Sequence, residues 1–208
     1  MKKSVEPKDS IKEILEQKTS ERLLLESFRI YKLKRKNFLK CLVFGFFCAM
    51  LAYAIGFSNN SINIFSNVID TILSIVLALL GIAFTGYTFF QALINGKLIE
   101  LLISGKNEET NKNNFTEINE SFVELMMLYI FIVVTSFFLK VFCDGIDNGL
   151  WLTKNININN TLAMCGVFFY LYISVIAIWH IKSFVYNIFQ LFNMRAVREY
   201  LDLKKEEM

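Results

Sequence analysis

Residues 69–92 read IDTILSIVLALLGIAFTGYTFFQA, a single acid followed by 22 residues without a charge. At 1.5 Å per residue this run makes a helix of about 36 Å, longer than the roughly 30 Å hydrocarbon core of a bilayer. A buried strand would be shorter, and a soluble core helix would be more interrupted. Three further runs have the same character: Phe38–Phe57, Phe122–Cys143 and Leu162–Phe184. Lipid supplies no hydrogen bonds, so such runs must satisfy their backbone groups internally as helices. The pattern predicts an all-α integral membrane protein with four transmembrane helices and helical cytoplasmic extensions.

Composition agrees. Hydrophobic residues make up 54% of the chain, with 21 phenylalanines and one proline. This excludes a disordered or collagen-like chain. The runs divide the sequence into an N-terminal cytoplasmic helical segment (1–37), a four-span domain (38–190) and a cytoplasmic helical tail (191–208). What lies outside the spans is too short for a large soluble domain. Lys2 and Lys3 are followed by polar sequence. No cleavable signal peptide is therefore expected, and the Phe38 run is the first insertion signal. Abundant Asn, Ile and Lys point to an AT-rich prokaryotic genome.

Charge sets the orientation. Of 22 Lys and Arg, twelve fall in residues 1–40, three in 96–121 and five from Lys182 onward. Only Lys140 and Lys154 are left for the third-to-fourth connection. Positive residues stay inside, so the expectation is a multi-pass protein of the bacterial inner membrane with both termini and the middle loop cytoplasmic. Arg29, Lys32, Lys34, Arg35, Lys36 and Lys40 precede the first span and suit contact with anionic headgroups. Few aromatics interleave them, so no direct nucleic-acid binding is expected.

The first and last spans run on without Pro or Gly, which predicts helices that outrun the bilayer. Ser20 is the predicted N-cap of the first, and residues 11–16 read as a short amphipathic helix. Leu98–Ile103 continue the second helix to about Ser104. Ser104–Asn114 is a polar linker, and Phe115, Ile118, Phe122 and Leu125 resume helical spacing.

The second span carries a stripe. Asp70, Ser74, Ala78, Gly81, Thr85, Thr88, Ala92 and Asn95 follow at steps of three or four whose mean is about 3.6, the helical period. One face is small or polar while bulky residues cover the others. It is either a close-packed seam, within or between chains, or the lining of a wet path. A secondary stripe in the fourth span includes Tyr170, Ser174, Ala177 and His180. His180, the only histidine, is a packed or interfacial residue on one reading and a titrating gate on the other. No ionisable residue lies mid-span, which argues against an ion-coupled transporter. Lys140 and Asp144 are spaced to pair within a helix. Cys143 and Cys165 are placed near the outer surface, as free thiols or as a disulfide. No motif for catalysis, cofactor binding or metal ligation is present, so an enzyme is not expected.

Leu80-Gly81-Ile82-Ala83-Phe84-Thr85-Gly86, with Phe89-Phe90, Leu98-Ile99 and Leu101-Leu102, resembles a pattern in small multi-span bacterial membrane proteins encoded in phage-defence operons. There a Gly/Thr-containing span runs into an amphipathic cytoplasmic segment. The resemblance implies a membrane effector or sensor that works with a soluble cytoplasmic partner. The resulting expectation is a homo-oligomeric subunit of an antiviral defence system that forms a pore or leak in the lipid bilayer. The alternatives are a non-conducting accessory subunit of a transport or secretion complex, and an immunity protein against a membrane-active toxin.

The topology is tested by single cysteines in a background lacking the four native ones. Asn157→Cys should react with an impermeant maleimide on intact cells, and Asn111→Cys should not. The reverse pattern would invert the orientation.

Overall fold

A computed structural model of the protein describes residues 19–28, 38–107, 112–146 and 155–206. Six helices occur among them: α1 (Ser20–Ser27), α2 (Phe38–Gly56), α3 (Ser61–Leu93), α4 (Gly96–Ser104), α5 (Asn114–Ile146) and α6 (Ile156–Glu206). No strand occurs among the described residues; Lys106 and Asn113 make one isolated bridge just before α5. Four helices, α2, α3, α5 and α6, are long and apolar enough to cross a membrane. The 1–18 segment and Arg29, Lys32, Lys34, Arg35 and Lys36 lie outside the described residues, as does the join between α1 and α2. Lys40 is exposed on the first turn of α2.

Helix ends are set by side chains that take orphan backbone donors. Thr19, one residue earlier than expected, caps α1 by accepting from the Arg22 N–H at 3.3 Å. At that end the Glu21 carboxyl is held below the usual carboxylate range, chiefly by a backbone N–H and then by the Thr19 and Ser20 hydroxyls. The second helix does not continue to Ser104. It stops at Leu93, and Asn95 starts α4 by accepting from the Leu98 N–H at 2.9 Å. Asn113 likewise starts α5, its Oδ1 accepting from the Thr116 N–H at 2.8 Å.

The chain forms two compact units, and the three longest helices contribute to both. The first comprises Phe28–Leu80 and Leu128–His180. Its core includes Ala52, Ile69, Val76, Leu128, Tyr129, Ile132 and Ala177, all almost fully buried. Gly56 lets α2 approach α6. A Cβ there would stand 2.8 Å from Met164 Cβ and 3.0 Å from its backbone. Phe44 packs edge-on to Trp179, and Phe65 to Tyr170. Most of α2 stays uncovered: only 17% of its apolar window is buried, and Leu39, Phe46, Phe47, Met50 and Leu51 are exposed. Apolar exposure on that scale marks an interaction surface rather than a face for water.

The second unit comprises residues 1–27, 81–127 and 181–208. Phe122 is its centre, with ring centroids 4.8 Å from Phe184 and 5.1 Å from Phe90. Phe90 stacks on Phe115 at 6.0 Å. Gly86 leaves room for Phe184 and Ile188, which would lie 2.4–2.7 Å from a Cβ. Leu98 and Leu102 turn the buried face of α4 into the same core.

The glycines differ in a way that can be measured. Gly56→Leu should cost about 1–3 kcal/mol, because backbone rather than a flexible chain end blocks the added atoms. Thermal unfolding in detergent, followed by helicity, should show a clear drop in Tm. An unchanged Tm would mean that α2 and α6 do not approach closely at Met164.

Candidate functional site

Three features concentrate polar chemistry on otherwise apolar helices: a cluster in the first unit, a stripe along α3 and an acidic group in the second unit. The first is a cluster across α3, α5 and α6. Ser66 and Asp70 lie one turn apart on α3, and Ser136 and Lys140 one turn apart on α5. Lys140 Nζ donates to Asp70 Oδ2 at 2.6 Å and to Ser66 Oγ at 2.7 Å. The pair is partly open, with side-chain exposures of 32% for Lys140 and 52% for Asp70. Below it, the Ser136 and Tyr170 hydroxyls share a bond of 2.8 Å, both residues buried. Ser136 Oγ also lies 2.7 Å from the Ile132 carbonyl. Lys140 was expected to pair along its own helix with Asp144. Asp144 does lie in its electrostatic neighbourhood, but the hydrogen bonds to Asp70 and Ser66 cross to another helix.

The second feature is the α3 stripe, which continues along the helix through both units. Asp70, Ser74, Ala78, Gly81, Thr85, Thr88 and Ala92 are all exposed, as is Asn95, which lies past the end of α3 as the cap of α4. The face that packs within the chain is another one, carrying Ile69, Ile72, Val76, Ala83 and Phe90. A Cβ at Gly81 would meet nothing within 4 Å. The hydroxyls are not idle. Ser74 donates to the Asp70 carbonyl, Thr85 to Gly81 and Thr88 to Thr85, at 2.7–2.9 Å.

The secondary stripe is placed differently. Tyr170, Ser174 and Ala177 are buried, and His180 is half-buried. The Tyr129 hydroxyl reaches the Ala177 carbonyl at 3.4 Å. Cys41, Cys48, Cys143 and Cys165 are free thiols, Cys143 buried and Cys165 exposed.

In the second unit, Glu26, Glu120 and Glu124 bring carboxylate oxygens within 4.8 Å of one another. Arg22 Nε stands 3.4 Å from Glu26, and Lys112 pairs with Glu120. Asn107 donates to Glu117, which ties the turn after α4 to the first turn of α5. The acids sit among these cations as an ion-pair network. Sequence reasoning missed this network, because α1 and α5 lie far apart in the chain.

Sequence reasoning named Asp70, Lys140 and Tyr170 separately, but not Ser66 or Ser136, and it did not bring them together as one cross-helix cluster. Its signal was the shared four-residue spacing of Ser66 with Asp70 and of Ser136 with Lys140. No protein family, no characterised protein and no solved structure matches this chain.

A double-mutant cycle on Asp70→Asn and Lys140→Met should give a coupling of about 1 kcal/mol, as for a partly exposed ion pair. Tyr170→Phe should cost about 1 kcal/mol, since it removes the buried bond between the Tyr170 and Ser136 hydroxyls and leaves Ser136 only the Ile132 carbonyl. Unfolding in detergent measures both. Additive effects of the two single substitutions would mean that Lys140 and Asp70 do not interact.

Proposed function

We propose that this protein is a self-associating, four-span subunit of the bacterial inner membrane with both ends cytoplasmic. It acts as the membrane effector or sensor of an antiviral defence system, and its assembled form opens a leak. One observation carries the assembly and the leak: a small, polar stripe runs along α3 from Asp70 to Ala92, and none of its residues is buried within the chain. Lipid covers the bulky exposed residues of α2 well, but it gains nothing from Thr85, Thr88 or Asp70. A second copy gains close backbone approach, and water gains a polar wall. The defence setting rests on the resemblance of residues 80–102 alone.

A second reading is a non-conducting accessory subunit of a transport or secretion complex. The stripe's own hydrogen bonds favour it. Ser74, Thr85 and Thr88 spend their donors on their own helix, as suits a dry seam between helices.

Two substitutions separate the readings. A Cβ at Gly81 would meet nothing within 4 Å, so the Gly81→Leu monomer should keep its helicity and Tm. Oligomer size in detergent should fall, because the larger side chain holds neighbouring backbones apart. Thr85→Val keeps the volume and removes a hydroxyl. It should spare assembly and change dye or ion leakage from liposomes if the stripe is wet, and leave both unchanged if the seam is dry. Unchanged assembly and leakage in both variants would mean that the stripe faces lipid passively.

A further inference from the structure

Near its C-terminal end α6 has two unlike faces. One packs into the second unit through Phe184 and Leu191, both almost fully buried. The opposite face carries Tyr186, Phe189, Asn193, Ala196, Tyr200 and Leu203, and all six are exposed. A helix face turned to water would carry charge here. This one carries none, and its residues recur at steps of 3, 4, 3, 4 and 3. That is the heptad alternation of a and d positions, whose 3.5-residue period keeps one seam facing a partner helix. Scattered apolar residues facing lipid have no reason to keep it.

We infer that residues 186–203 of α6 form a parallel two-stranded coiled coil with the same segment of a second copy. This rests on the proposed self-association, and two copies inserted with the same orientation can only meet in parallel. The register places Tyr186, Asn193 and Tyr200 at a, and Phe189, Ala196 and Leu203 at d. Asparagine at a favours two strands and fixes their alignment. In a parallel pair, each g residue meets the e residue five places further along the partner. Phe192 then meets Val197 of the second copy, apolar on apolar. Glu199 meets Lys204 of the second copy, acid on base. Both flanking pairs match. Glu199 Oε1 accepts from Arg195 Nε at 2.8 Å. One heptad earlier the d position is Lys182, so like charges would oppose there and the seam starts at Tyr186.

The seam is short and uses Tyr and Ala where Leu or Ile would pack more strongly. Isolated segments of this length are marginal in water. The membrane spans hold the copies at high effective concentration and make the pairing favourable. The test therefore uses the full chain in membranes, in a background lacking the four native cysteines.

Asn193→Cys and Ala196→Cys lie on the seam, and Met194→Cys lies off it. Oxidation should give disulfide-linked dimers at 193 and 196 and not at 194. In the Ala196→Cys background, Glu199→Lys or Lys204→Glu alone should lower the dimer yield roughly three- to tenfold, and the two together should restore it. Equal cross-linking at 194 and 196, or no restoration by the double exchange, would overturn the coiled coil or its register. Native mass spectrometry of the same variants distinguishes the two levels of failure. An oligomer without cross-links at 193 and 196 would overturn the coiled coil and leave self-association standing. Monomer only would overturn both.

Discussion

A long apolar helix has to satisfy its own polar groups, and the polar chemistry of this chain follows from that constraint. A hydroxyl on such a helix has one cheap partner, the carbonyl three or four residues back. Thr71, Ser74, Thr85 and Thr88 on α3 use it, as does Thr161 on α6. Where the helix is interrupted, the freed N–H groups go to the side chains of Asn95 and Asn113. Side chains too long to turn back on their own backbone cross to another helix instead. Lys140, Tyr170 and Tyr129 do so, as does Tyr87, which reaches Asn119 at 3.1 Å. Side-chain length thus decides which polar residue is spent locally and which joins two helices.

The same constraint explains what was legible in the sequence. Runs of some twenty predominantly apolar residues leave one backbone solution, so α2, α3, α5 and α6 fall close to where the runs place them. The caps were harder. Thr19 and Ser20 are both good caps, and sequence does not choose between adjacent hydroxyls. The break at Asn95 has no proline to announce it. It arises because an asparagine side chain competes with the helix for its own backbone donors. Periodicity showed that α3 has a distinct small face but not which face turns inward. Close packing within the chain uses the bulky residues Ile69, Ile72, Val76 and Phe90. The contact of Ser66 with Lys140 joins residues 74 apart, and no local pattern carries information over that distance.

Glycine shows the limit most plainly. Gly56, Gly81 and Gly86 all sit in apolar helices and read alike as letters. Backbone crowds the first, open space surrounds the second, and flexible side-chain ends fill the third. The difference lies wholly in what the rest of the chain brings up, so a stripe of small residues signals a surface without naming its neighbour.

Exposure itself comes in two kinds on these helices, and the two call for different surroundings. On α2 the exposed residues Leu39, Leu42, Val43, Phe46, Phe47, Met50 and Leu51 form a broad face that is bulky and apolar throughout. A surface of that sort specifies no register and suits a fluid, apolar environment that need not match it. On the last turns of α6 the exposure is one-sided. It repeats at 3.5 residues, and it includes an asparagine and an alanine that lipid would not select. A periodic, chemically mixed face suits a partner with the same period, and under the proposed pairing a second copy of the helix has that period by construction.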